Sequence, residues 1–264
     1  MSTINISGIQ ISYIEKGFGD TLILLHGNPG SGKVWRKVIP NLSANYRVIA
    51  HDRQGFGHSD DSEDGNFSPY GYCVELLNLM SALGIDRAHI CGLSFGGMVA
   101  QCFAANYPQY VKSLILVGTT ADRTARNVQQ TIQELHRDGW AKVAKRLTQS
   151  WFRAESNPDD IQEAYNIALQ SSSRMRELTV RALEKFDVRN EISSINCPTL
   201  ILVGNEDQTC PPGQSEEIRD LIKESSLIRI SDCGHMIPVE QPEIFCAHIS
   251  SFLSAQPRSS VLDV

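Results

Sequence analysis

The chain has 264 residues, 41% of them hydrophobic and 20% charged, with a formal net charge of −6. That length suits one large core with an elaboration, and the acidic balance, with a pI near 5.6, argues against nucleic acid or an anionic membrane as partner. No run approaches the roughly 20 apolar residues that cross a bilayer, and "MSTINISGIQ" has neither the basic start nor the apolar stretch of a signal peptide. A cytoplasmic protein acting on a small molecule is the expectation.

Seven cysteines, at 73, 91, 102, 197, 210, 233 and 246, form no C-x-x-C pair and sit mostly in apolar runs such as "HICGL". They read as small buried hydrophobes, not as a disulfide framework or a zinc site. No metal and no cofactor are expected.

In chain order, "INISGIQISYIEKGFGDTLILLHG" predicts three short strands with turns at Ser7-Gly8 and Gly17–Asp20. Strands then alternate with helices: a helix near 33–44, "YRVIAHD", a helix from Ser68-Pro69 to Gly84, "AHICGLS", a helix to Tyr107, and "SLILVGT". Such alternation builds a mostly parallel sheet with helices on both faces. After Gly118 it lapses. From 121 to 190 only helical periodicity remains, as in Val128, Ile132 and Leu135, or Leu178, Ala182 and Phe186. Sheet logic resumes with "CPTLILVGNED", a helix at 214–222, "SLIRISDCGH" and a helix at 242–253, before a polar tail expected to fray. The domain reading is therefore a core of 1–120 and 191–264 with a helical insertion at 121–190.

The segment "RAHICGLSFGGMVAQ" places Ser94 between an apolar strand and a helix, flanked by Gly92, Gly96 and Gly97. A serine on a sharp strand-to-helix turn projects its hydroxyl from the carboxyl edge of the sheet, and the turn needs small neighbours. The helix behind it favours negative charge developing on a substrate oxygen. A serine hydroxyl needs a base and an acidic residue that orients it. Asp207 follows one strand and His235 another, so both reach the same sheet edge as Ser94. Glu206 is the rival acid. The backbone N–H groups of Phe95 and of Asn28, in "HGNPGSG", are the candidate oxyanion hole, with His26 structural.

These motifs, "HGNPG" at 26–30, "DRQGFGHSD" at 52–60, "GLSFGG" at 92–97, "LVGNED" at 202–207 and "GHMIPVEQPE" at 234–243, resemble the α/β-hydrolase family over nearly the whole chain. Within it they look most like 3-oxoadipate enol-lactonases and small carboxylesterases. The resemblance implies the α/β-hydrolase fold, an eight-stranded, mostly parallel sheet, and makes 121–190 a cap over the site. "HGNPGSGKVW" is also similar to haloalkane dehalogenases and epoxide hydrolases, but their nucleophile is an aspartate and position 94 is serine.

The expected activity is cofactor-independent hydrolysis of a small ester or lactone by Ser94, His235 and Asp207. Trp140, Trp151 and Phe152 are candidates to line the substrate pocket, against the plainer reading that they pack the cap. Lys142, Lys145, Arg146, Arg174, Arg176, Arg181 and Arg189 read first as solvated helix faces, with one arginine available to bind a substrate carboxylate. The alternatives are a carbon–carbon bond hydrolase of ring-cleavage products, a cofactor-free perhydrolase and a non-catalytic binding protein.

Overall fold

The computed structural model describes residues 1–125 and 127–256. Most of the tail expected to fray lies outside them. The apolar runs become β1 (Ser2–Ile6), β2 (Ile9–Lys16), β3 (Thr21–Leu25), β4 (Arg47–His51), β5 (Ala88–Leu93), β6 (Val111–Val117), β7 (Thr199–Gly204) and β8 (Ser225–Ile230). They form one sheet in the order β1-β2-β4-β3-β5-β6-β7-β8. β1 and β2 are antiparallel, as is β2 with β4, and every later pairing is parallel.

Alternating side chains on the central strands feed two separate cores, as the two-residue period of a strand requires. Ile23, Leu25, Ile90, Leu114 and Leu116 pack with Leu76 and Met80 of α2 (Pro69–Ala82) and with Val99 and Phe103 of α3 (Phe95–Asn106). Leu22, Leu24, Cys91, Leu93 and Ile115 instead pack with Trp35 and with Phe245 and Ile249 of the C-terminal helix at Pro242–Ser254. The helix expected at 33–44 is broken into a 3-10 turn at Gly32–Trp35 and one α turn, α1 (Ile39–Leu42). Pro40 explains the break, because its ring clashes with the carbonyl four residues back and it offers no N–H.

Between β6 and β7 lie α4 (Val128–Asp138), α5 (Trp140–Ser150), α6 (Pro158–Ala168) and α7 (Ser173–Arg181). Residues 182–186 continue as hydrogen-bonded turns, where the sequence pattern suggested more helix. The segment leaves and re-enters the core side by side, since Asp122 bridges Asp187 antiparallel and the Val188 N–H donates to the Ala121 carbonyl at 2.9 Å. Among the described residues no helix is long and apolar enough to cross a membrane, and none of the seven cysteines is in a disulfide.

Candidate active site

Ser94 sits between β5 and α3 with φ 54° and ψ −117°, a strained backbone for a residue with a side chain. The three glycines make the turn possible. A Cβ on Gly92 would run into the Gly96 carbonyl, one on Gly96 into the Leu25 carbonyl, and one on Gly97 would lie 2.6 Å from the Thr119 Cβ. The strain is held by bonds on both sides of the serine. The Ser94 N–H donates to the Val117 carbonyl at 2.9 Å, and the Thr119 hydroxyl donates to the Ser94 carbonyl at 2.7 Å.

Asp207 and His235, each 3% exposed, meet at the same edge. His235 Nδ1 donates to Asp207 Oδ2 at 2.7 Å, and Asp207 Oδ1 accepts from the N–H groups of Thr209 and Cys210 at 2.8 Å each. With Nδ1 protonated, Nε2 is the basic nitrogen of the ring. Glu206 is turned outward to Arg153, at 2.7 Å. The histidine loop is gripped by Glu240, whose Oε1 accepts from the Gly234 and Met236 N–H groups, and by the Trp151 carbonyl, which accepts from the His235 N–H at 2.8 Å.

Phe95 is the first residue of α3, so its N–H has no partner within the helix. The described backbone contacts pair neither this N–H nor that of Asn28 with an acceptor. The loop before Asn28 is fixed by two fully buried side chains. His26 Nδ1 donates to the Gly27 carbonyl at 2.8 Å while Nε2 accepts from the Arg53 N–H at 3.1 Å. Burial, and then the charge of Arg53, hold its pKa well below the usual histidine range. Arg53 donates to the His26 and Gly27 carbonyls and lies 4.8 Å above the Phe95 ring. Burial pushes its guanidinium down to about 10. Neither Arg53 nor its role was singled out in the sequence, where "DRQGFGHSD" stood only as a family motif.

Ser94 stands between two lobes of a cavity that share Asn28 and Trp151 as walls. One, of about 390 Å³ with the open solvent at its mouth included, is lined by Val34, Leu93, Ala164, Ile167, His235 and Met236 among others. The second, of about 630 Å³, carries Arg123, Arg176, Thr131 and Thr209 with Leu147, Val180 and Leu183. Of the three aromatic residues proposed for the pocket, Trp151 alone lines it. Trp140 opens α5 and Trp151 follows its last turn, so a rise of roughly 1.5 Å per residue separates them by about 16 Å. Phe152, 8% exposed, packs in the same hydrophobic core as Trp151, Ala164 and Met236 and does not line the cavity.

Most of the basic residues in the helical segment face acids on the surface. Arg146 meets Glu134 at 2.7 Å, Arg174 meets Asp61 at 2.6 Å, and Arg181 and Arg189 meet Glu177 and Asp187 at 2.6 Å. Arg176 is the member of that group that lines the cavity. Arg123 lies on the loop just after β6, and sequence pattern gave no signal for it.

A family model described as the alpha/beta hydrolase fold matches residues 20–242. The chain is 28% identical to 2-hydroxy-6-oxo-2,4-heptadienoate hydrolase of Pseudomonas putida, covering 94% of each chain. It is 26% identical to 3-oxoadipate enol-lactonase 1 of Acinetobacter baylyi, covering 84% of each. A thermophilic esterase from Thermogutta terrifontis superposes with a TM-score of 0.89 at 26% identity, over 96% of this chain and 98% of that one.

Proposed function

Since the chain belongs to the α/β-hydrolase family, we propose that it is a serine hydrolase cleaving a small carboxylic ester or lactone through an acyl-enzyme. The observation that carries this reading is the strained Ser94 turn in one cavity with a histidine whose Nδ1 is held by a buried aspartate. Ser94 Oγ attacks the carbonyl, His235 Nε2 takes its proton, and Asp207 stabilises the imidazolium that forms. The N–H groups of Asn28 and Phe95 stabilise the oxyanion, and the same imidazolium protonates the leaving alcohol oxygen. Water, deprotonated by His235, then releases the acid. For a lactone, acid and alcohol stay in one molecule. Residues 121–190 act as a cap that shapes both lobes, with Trp151 as the shared wall, and the reaction needs no cofactor.

A second reading is supported by the similarity to the heptadienoate hydrolase of Pseudomonas putida, whose name denotes a 2-hydroxy-6-oxo-dienoate, a vinylogous diketone in its keto form. There the same groups would cleave a carbon–carbon bond. A fluorophosphonate probe is expected to label Ser94 stoichiometrically, and short p-nitrophenyl esters and lactones to turn over. No label and no ester turnover would reject the proposal, and turnover of a vinylogous diketone without any ester activity would replace it with the second reading.

A further inference from the structure

The larger lobe beside Ser94 holds a cation that no neighbouring acid among the described residues balances. Arg123 is 9% exposed, and its Nε and Nη1 are buried with no hydrogen-bond partner. Among the described residues its Nη2 reaches the Cys210 Sγ alone, at 3.9 Å. Asp122, next in sequence, is committed elsewhere: Oδ1 accepts from the Thr124 N–H at 2.7 Å, and Oδ2 lies 3.4 Å from Arg189. Among the described residues no carboxylate lies within ion-pair distance of Arg123.

A buried, unpaired guanidinium is costly to a folded protein, yet this one starts from a fixed point. The Arg123 N–H donates to the Phe186 carbonyl at 2.8 Å, beside the Asp122–Asp187 bridge. The side chain therefore lines the lobe from a pinned backbone, as pre-organised recognition requires. A guanidinium fork matches a carboxylate with two parallel N–H bonds, and Arg176 lines the same lobe.

We propose that Arg123 binds a carboxylate carried by the substrate, so that the preferred substrates are monoesters of dicarboxylic acids, or lactones bearing a free acid group. The ester carbonyl sits at Ser94, the carboxylate lies in the larger lobe, and the apolar lobe takes the rest of the molecule. The assignment rests on the hydrolase reading above for the bond that is cleaved, but not for the binding of the anion.

The test compares mono-p-nitrophenyl glutarate with p-nitrophenyl butyrate. Wild type should prefer the glutarate, and in Arg123→Met the ratio of the two kcat/KM values should fall about a hundredfold, the size expected when charge-assisted bonds are lost. Arg123→Lys should keep part of the preference, and Arg174→Met, at the exposed pair with Asp61, should leave the ratio unchanged. An unchanged ratio in a folded Arg123→Met variant would overturn the proposal. If that variant does not fold, glutarate must inhibit wild-type butyrate hydrolysis competitively and inhibit Arg123→Lys more weakly; equal inhibition of the two overturns it as well. If neither ester turns over and Ser94 is not labelled, the hydrolase reading has failed. Calorimetric binding of glutarate to wild type, lost in Arg123→Met, would then still establish the anion site, and no binding to wild type would remove it.

Discussion

The two walls of the cavity are built by different means. On the sheet side Ser94, Asp207 and His235 stand at strand ends, and main-chain hydrogen bonds fix their loops. On the helical side Ile167 comes from α6 and Arg176 and Val180 from α7, short helices of a segment whose outer surface carries exposed ion pairs, each worth little in water. The first wall holds the proposed chemistry and tolerates little displacement. On the proposed reading the second shapes what enters, and it meets the first at the Trp151 carbonyl, which accepts from the His235 N–H.

The sharpest way to break this comparison is Ser94→Ala. It deletes one oxygen from the sheet wall and leaves the elbow backbone in place, so the melting temperature should hold while kcat falls by about 10⁴-fold or more. Purified mutant protein with near wild-type hydrolysis would remove Ser94 from the mechanism.

A smaller effect separates backbone strain from site geometry. Gly118, at the end of β6, has φ +48°, and a Cβ there would lie 3.0 Å from Asp207 Oδ2 and 3.2 Å from His235 Nδ1. Gly139, between α4 and α5, has φ +77° and nothing within 4 Å of its Cβ position. Alanine at either position strains the backbone. At Gly118 it also pushes on the acid–base pair, and kcat should drop about a hundredfold with KM little changed, as a misplaced catalytic group predicts. Gly139→Ala should lower stability and leave kcat alone. Equal kcat losses in the two variants would mean that Gly118 acts through stability and not through the pair.

The sheet wall was legible in the sequence because period and glycine placement are local signals. "HICGLSFGG" shows a strand, a turn and a helix in nine residues, and Asp207 and His235 each follow an apolar run. The helical wall was legible only as helices. Whether Trp140 or Trp151 meets the substrate depends on how α5 lies against the sheet, which a 3.6-residue period does not state. Arg123 was passed over for a related reason. An arginine in "TTADR" looks like any loop cation, and its significance lies in Asp122 being engaged by Arg189, a partner 67 positions away. The helix expected at 33–44 shows the opposite error, in which an apolar pattern outweighed Pro40.

The smallest expected effect concerns pH and places the early acid sensitivity in the core. His89, on β5, is 2% exposed and shares a 2.8 Å hydrogen bond with Ser113. Burial, and then the charge of Lys112, push its pKa from 6.5 down to about 4. The folded state therefore disfavours protonated His89. Its contribution is fully present above about pH 6.5, where the unfolded chain is also neutral, and is lost as pH falls toward 4, because the unfolded state binds the proton first. At about pH 5 the loss is near 2 kcal/mol. His26 adds in the same direction. The carboxylates of the helical segment behave differently: hydrogen bonds to His136 and Arg181 lower the Glu177 pKa, so its contribution is present above the usual carboxylate range and fades only at more acid pH. Urea titrations between about pH 7 and pH 4.5 should show stability falling in wild type. The fall should be shallower in His89→Gln by close to one proton's worth of slope and unchanged in Glu177→Gln. The same slope in wild type and His89→Gln would show that early acid sensitivity does not come from this strand.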